Sequence, residues 1–145
     1  MEEDFVLKRK TVSEVYEVIM KQKTSNAKGN DEITSRVIKT MPHYTATAIC
    51  HLYTHIIRTG KFPDSLKIAR ITPILKPGKG RSEKSSYRPI SNLNSIEKVI
   101  EQLIKEDLES FLDKNDVIPK EHHGGRPYHS TVTAKAIIDL EINKL

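Results

Sequence analysis

Basic side chains that could bind phosphate are concentrated in one stretch of this sequence. Residues 61–88 hold eight Lys or Arg against two carboxylates, Asp64 and Glu83, a local charge of +6, whereas the 145-residue chain carries +5. Clustered charge raises the local concentration of phosphate-bearing ligands, and an anionic polymer or a triphosphate is the expected partner. The alternative is a solvated loop that is basic for solubility. The eight are Lys61, Lys67, Arg70, Lys76, Lys79, Arg81, Lys84 and Arg88.

Arg88 is the cation in this stretch best suited to grip a triphosphate. Pro89 follows it and disfavours the α region, so the arginine is expected to be extended on a stiff backbone. Its planar guanidinium can also contact phosphate through two parallel hydrogen bonds. Lys79 and Arg81 lie beside glycines that allow free movement, which suits non-specific contact with a polymer backbone.

Hydrophobic periodicity predicts the elements that position these cations. Two short β-branched or proline-containing segments, residues 68–75 and 88–93, indicate a two-stranded ribbon joined by a loop too long for a tight turn. Apolar residues at helical spacing predict five helices. They pass through residues 12–20, 33–38, 49–57 and 96–112, and from residue 131 to the chain end.

Capping residues predict where these helices begin and end. Gly60 is expected to end the third helix, and Met41 with Pro42 the second. The fourth helix carries an acidic polar face that we expect to be solvated. The expected N-terminal caps are Thr11 or Ser13, Asp31, Asn94 or Ser95, and Ser130 or Thr131.

These elements predict an α+β, mostly helical fold in which helices pack on the two-stranded ribbon. By size, residues 1–145 form a single domain. It comprises a helical N-terminal part (1–60), the ribbon (61–93) and further helices (94–145).

Composition limits the cellular setting. The single cysteine, Cys50, excludes a disulfide framework and fits a reducing compartment. No stretch approaches the ~20 apolar residues of a membrane span, and residues 1–10 lack the apolar core of a signal peptide. We therefore expect an intracellular protein, nuclear or cytoplasmic, with no membrane partner.

Two other candidate sites have weak support. His51 and His55 have a helical spacing that can bind zinc, but no HExxH motif accompanies them, so a helix surface is the simpler interpretation. Residues 77–82 are glycine-containing, yet they do not match a phosphate-binding P-loop. We predict no metal site.

Several sequence blocks resemble reverse transcriptases of non-long-terminal-repeat (LINE-like) retrotransposons. Residues 61–79 (KFPDSLKIARITPILKPGK) look like the first conserved fingers block, and residues 86–91 (SYRPIS) are similar to the second. The order and spacing agree across about residues 15–140. Further matches are EKVIE at 97–101, HHGGR at 122–126 with Ser130 and Thr131, and AKGND at 27–31, a worn copy of a Pro-Gly-Pro-Asp turn.

The chain also departs from this family pattern. The Gly125 change is the most damaging, since the Phe normally found there helps to anchor the turn beside the nucleotide site. The departures are Leu66 for Trp, Asn92 for Leu, His122 for Gln, Gly125 for Phe, and Lys28 and Asn30 for the two prolines of the early turn.

The resemblance implies the N-terminal fingers and the start of the palm of an RNA-directed DNA polymerase. It implies that Lys76 and Arg88 contact the nucleotide triphosphate and that Arg126 helps to close the nucleotide pocket. Lys79, Arg81 and Lys84 would lie along nucleic-acid phosphates. The implied partners are an RNA template or RNA/DNA duplex and a deoxynucleotide triphosphate.

The resemblance places the catalytic carboxylates in palm segments that this sequence does not match. Asp139 lies in a helical pattern without the required strand and second aspartate. We therefore expect no catalytic residue, no bound cofactor and no polymerase activity from this chain alone, with Mg²⁺ needed only by the full-length enzyme. The alternatives are a non-catalytic module that binds nucleic acid or a protein partner, with only weak, non-specific nucleic-acid binding, and a decayed fragment without a selected role.

Overall fold

The computed structural model describes residues 4–126 and 128–143 and divides into two compact units, Met1–Asp107 and Leu108–Leu145. Helices and a two-stranded antiparallel sheet make up a mixed α and β structure, as predicted. The prediction of one domain stays a prediction. The elements are α1 (Val12–Lys21), α2 (Ser35–Ile38), α3 (Pro42–Thr59), β1 (Arg70–Leu75), β2 (Tyr87–Asn92), α4 (Ser95–Lys114) and α5 (Thr131–Ile142), with 3-10 turns at Asp64–Leu66 and Lys84–Ser86.

Three helices supply most of the buried core of the first unit. The apolar stripes of α1 and α3 pack against each other, and the first half of α4 adds three buried aliphatic residues. Burying one aliphatic side chain stabilises the fold by about 1.5–3 kcal/mol relative to leaving it exposed. The buried apolar residues are Val15, Val18, Ile19, Ile38, Ala46, Ile49, Tyr53, Ile56, Val99, Ile100 and Leu103.

The ends of three helices follow the predicted signals. Thr11 caps α1 in a reciprocal arrangement with Glu14. Gly60 ends α3 with a left-handed φ of 65°, and its N–H donates to the Ile56 carbonyl over 2.8 Å. Ser130 caps α5 and accepts a hydrogen bond from the Thr133 N–H.

The second helix is shorter than predicted. It begins at Ser35 with Thr34 as its N-cap, so Ile33 precedes it and Asp31 is not the cap. The Asp31 carboxylate instead accepts the Ile33 N–H over 3.0 Å, a local turn that competes with helix formation. Pro42 does not end this helix; it is the first residue of α3, a position where its missing N–H costs nothing.

The two strands pair over six residues, from Arg70 opposite Asn92 to Leu75 opposite Tyr87. The prediction that helices pack on this ribbon is wrong for the described residues. Most ribbon side chains are exposed, including Ile71, Ile74 and Ile90.

The acidic face of α4 is only partly solvated, contrary to the prediction. Glu97 and Asp107 are buried, because each carboxylate has a hydrogen-bond donor inside the fold. A paired carboxylate can remain in a protein interior at a tolerable cost.

The second unit contains the end of α4, a loop and α5. The described residues of α5 include no buried one. Asp139 lies inside α5, as the sequence predicted. Among the described residues of either unit, no helix is long and apolar enough to span a membrane.

Candidate nucleic-acid interface

The register of the ribbon places two of the predicted cations on one face. Arg88 is paired with Ile74, so both side chains point to the same side of the ribbon. Lys76 follows Ile74 by two residues, and its N–H continues the ladder by donating to the Ser86 carbonyl over 2.8 Å. Because side chains alternate along a strand, Lys76 lies on the same face as Arg88.

A tight turn brings Lys79 back toward Lys76. The Lys79 N–H donates to the Lys76 carbonyl over 3.2 Å, and Gly78 has a positive φ of 72°. Proline at position 77 followed by a left-handed glycine is the signature of a type II turn, which requires glycine at its third position. The local sequence therefore clusters these two lysines at the end of the ribbon.

The remainder of the loop is also folded on itself. The Tyr87 hydroxyl donates to the Arg81 carbonyl over 3.1 Å, and the Lys76 ammonium donates to the Ser85 carbonyl over 2.8 Å. Lys84 begins the short 3-10 turn that leads into β2. The loop therefore presents its cations from a series of closed turns.

Two other cations of the basic stretch are engaged with carboxylates. Lys67 lies 2.7 Å from Asp64, and Arg70 lies 3.7 Å from Glu32. The hairpin end, residues 76–88, keeps five cations against the single carboxylate of Glu83. The excess positive charge of the stretch is therefore concentrated at the end of the ribbon.

Hydrogen bonds join the early turn around residues 29–33 to the junction between β2 and α4. The buried Asn94 accepts the Asp31 N–H through its Oδ1 atom over 3.2 Å, and the Ser95 hydroxyl donates to the Ile33 carbonyl over 2.8 Å. Gly29 approaches so closely that a Cβ there would lie 2.3 Å from Asn94 Oδ1. The AKGND turn keeps the glycine that this contact needs.

The anchoring role of Asn94 was missed, because the sequence indicated only a helix cap. The capping signal itself is correct: the Asn94 N–H donates to the Glu97 carboxylate over 3.3 Å. Burial raises the pKa of Glu97, and the hydrogen bond from Asn94 opposes that rise. Nothing in the sequence indicated that the Asp31 N–H would be the partner of Asn94 across the fold.

Arg126 belongs to the second unit, apart from the hairpin in the chain. Its guanidinium donates to the Pro119 carbonyl over 3.1 Å and lies 3.8 Å from the Asp113 carboxylate. Nearby, His123 Nδ1 is 2.9 Å from the Thr133 hydroxyl. The described contacts of Arg126 therefore stabilise its own loop, and its nucleotide role stays a prediction.

Within the part of the chain that the structure describes, no metal site is formed by carboxylate, imidazole or thiol groups. No group of three or more His, Cys, Asp or Glu there is arranged to hold an ion. The Cys50 thiol donates to the Lys10 carbonyl over 3.2 Å.

This chain is similar to curated proteins over most of its length. It is 39% identical over 119 residues to a probable RNA-directed DNA polymerase from transposon X-element of Drosophila melanogaster. It is 36% identical over 121 residues to the RNA-directed DNA polymerase from mobile element jockey of Drosophila funebris, and 34% identical over 121 residues to a probable RNA-directed DNA polymerase from transposon BS of D. melanogaster. These matches cover 82–83% of the chain and 13% of each relative. No protein-family model matches the chain.

According to their names, the relatives are RNA-directed DNA polymerases, enzymes that copy RNA into DNA, and they come from mobile elements. Over most of its length the chain is similar to RNA-directed DNA polymerases of non-long-terminal-repeat transposons of Drosophila, as the resemblance indicated. It corresponds to one segment of such a protein, since it spans about an eighth of the length of these relatives.

Proposed function

We propose that this chain is the part of a retrotransposon RNA-directed DNA polymerase that contacts the template and the incoming nucleotide. The contact surface is the hairpin from residue 70 to residue 92. The observation that carries the proposal is the placement of Lys76 and Arg88 on one face of this ribbon, next to the lysine turn.

Each cation of the hairpin has a distinct part in this proposal. Arg88 makes no ion pair with a described residue, so its guanidinium is free to grip a triphosphate through two hydrogen bonds. An ammonium has three donors, and Lys76 uses one on Ser85. Its remaining donors can bind a second phosphate oxygen. Lys79, Arg81 and Lys84 would follow the phosphates of the nucleic acid.

Catalysis requires groups that the described residues do not supply. Nucleotide addition uses two divalent metals held by carboxylates, and the described residues have no such cluster. The complete enzyme would provide these carboxylates, and Arg126 would help to close the nucleotide pocket. Primer extension by the chain alone on an RNA template should give no product above a control without protein.

Salt-dependent binding tests the hairpin surface. Fluorescence anisotropy with a labelled RNA/DNA hybrid should give weak binding with little sequence preference. If about four phosphates are contacted, log K should fall with log salt with a slope of about −3 to −4. The double variant Lys79→Ala with Arg81→Ala should weaken binding and reduce the size of the slope by about 2.

A matched control removes two charges outside the hairpin. Arg58→Ala with Lys61→Ala changes the net charge by the same amount at exposed positions at and just after the end of α3. We expect this control to bind almost like the unaltered chain. Equal losses in both double variants, or binding that ignores salt, would refute the hairpin as the contact surface.

A further inference from the structure

A cavity of about 470 Å³ lies in the first unit, away from the hairpin cations. It is an open cavity, lined by the end of α1, the segment that follows it, the first residue of α2, and residues 95–106 of α4. Its size falls in the range of sites for small ligands. Three lysines line it, Lys21, Lys23 and Lys98, against one carboxylate, Glu106.

The lysines are available to a ligand, and the carboxylate is partly engaged. Lys21 is in a loose, exposed pair with Glu17 at 3.6 Å, and Lys23 and Lys98 are in no ion pair among the described residues. The Glu106 carboxylate accepts a hydrogen bond from Gln102 over 3.1 Å. The balance of charge in the cavity therefore favours an anion.

Hydrogen bonds hold the walls of this cavity in place. The buried Ser35 hydroxyl accepts the Ser25 N–H over 2.9 Å and donates to the Lys23 carbonyl over 3.0 Å. Lys39 donates to the carbonyls of Met20 and Gln22. These are carbonyls at the negative end of α1, and their engagement removes acceptors that would repel an anion.

The opposite wall adds further features that suit a phosphate bonded to an apolar group. Ser95, the first residue of α4, lines the cavity, so the cavity reaches the first turn of that helix. Ala27 and the alkyl stems of the lysines supply apolar surface, with a small part of the nearly buried Val18, and such stems can pack against a flat ring. A phosphate alone would not use this apolar surface.

We propose that this cavity binds one nucleotide unit, with its phosphate held by Lys23 and Lys98 and its base against the apolar wall. The unit has two chemical sources, a free nucleotide or one residue of a nucleic-acid strand. The proposal is independent of the hairpin function, because the two sites share no residue.

Chemical-shift mapping of the ¹⁵N-labelled chain tests the proposal with two probes, adenosine monophosphate and a short adenine oligoribonucleotide. We expect shifts at the amides of Ser25, Ala27 and Ser95. Shifts with the monophosphate would show that a free nucleotide is sufficient to occupy the cavity. Shifts with the oligonucleotide alone would show that the cavity binds one residue of a nucleic-acid strand. The absence of cavity shifts with both probes would overturn the proposal.

Two variants provide the charge test. Lys23→Gln with Lys98→Gln should weaken the cavity response about tenfold, since each charged hydrogen bond contributes substantially to binding. Glu106→Gln removes the opposing charge and should strengthen the response. Arg58→Gln with Lys61→Gln, at exposed residues that belong to neither site, should leave it unchanged. Cavity shifts that are insensitive to the cavity lysines would overturn the proposal, whatever the hairpin variant does to polynucleotide binding.

Discussion

The ammonium of Lys10 lies 2.6 Å from Oδ1 of Asp107, and both side chains are nearly buried, with exposed fractions of 9% and 6%. The second oxygen of Asp107 accepts the Lys8 N–H over 3.0 Å. One carboxylate of α4 therefore holds the segment that leads into α1. A buried pair of this kind depends on both partners, since each would otherwise be an uncompensated charge.

Removing the carboxylate charge should destabilise the fold strongly. Asp107→Asn leaves the Lys10 ammonium buried without a counter-charge, and we expect a loss of about 3–5 kcal/mol in the free energy of unfolding. Urea denaturation followed by circular dichroism measures it. The matched control is Lys67→Ala, which breaks an exposed pair with Asp64 and should cost less than about 1 kcal/mol. Similar losses in both variants would contradict the argument.

The buried hydroxyl of Tyr53 should contribute little stability. It forms no hydrogen bond of ordinary geometry with a described residue, and its pKa is raised to about 12 by burial first and then by the charge of Asp107. Removing an unsatisfied buried group is close to neutral or stabilising. Tyr53→Phe should therefore lower the free energy of unfolding by less than about 1 kcal/mol relative to the unaltered chain, or raise it. A larger loss would indicate a bond between the hydroxyl and Asp107.

The close approach at Gly29 should tolerate no side chain. A Cβ there would lie 2.3 Å from Asn94 Oδ1 and 2.7 Å from Asn94 Cα, so the backbone must move. Gly29→Ala should cost about 1–3 kcal/mol, as overpacking does. Gly80→Ala is the control, because the nearest atom is 4.0 Å away, and its effect should stay within about 0.5 kcal/mol. Thermal unfolding of both variants separates these outcomes.

Sequence patterns correctly predicted those features of the fold that depend on residues close together in the chain, such as helix starts and strands. The capping pattern offered Thr11 or Ser13 as the start of α1, and Thr11 is the cap; the change of hydrophobic period indicated the two strands. The same signals missed Asp107, whose partner Lys10 is 97 residues away. They also missed the bond between Asp31 and Asn94 across 63 residues. Such contacts depend on which elements meet in space, and periodicity in one segment carries no information about that.

The placement of the candidate cations was predictable in part for the same reason. Strand alternation and the proline–glycine turn determine the relation of Lys76, Lys79 and Arg88, and both are local. The cavity beside α1 combines Lys23 with Lys98, which are far apart in the chain. No local pattern in the sequence indicated that site.

The raised pKa of Glu97 predicts a pH effect with a definite sign. The folded protein keeps the Glu97 proton to a higher pH than the unfolded chain does, so stability falls as pH rises from the unfolded pKa through the folded pKa. Glu97→Gln removes this loss and retains an oxygen to accept the Asn94 N–H. Its stability relative to the unaltered chain should therefore increase across that pH window. Urea titrations at several pH values measure the difference, and a relative decrease would contradict the assignment.

Arg88 and Lys79 of the hairpin should have separable roles, one toward the nucleotide and the other toward the template. Arg88 is held in β2 opposite Ile74, whereas Lys79 ends the turn that follows β1. A guanidinium on a paired strand loses little conformational freedom when it grips a triphosphate, because its position is already fixed. A lysine in a turn suits contact with a polymer backbone.

In the complete polymerase, Arg88→Ala should therefore raise KM for the nucleotide or lower kcat, with template affinity nearly unchanged. Lys79→Ala should mainly weaken template affinity. Steady-state kinetics in which nucleotide and template are varied separately measures both effects. If the two substitutions change both parameters equally, the hairpin is one undifferentiated basic surface, and Arg88 is not the specific ligand of the triphosphate.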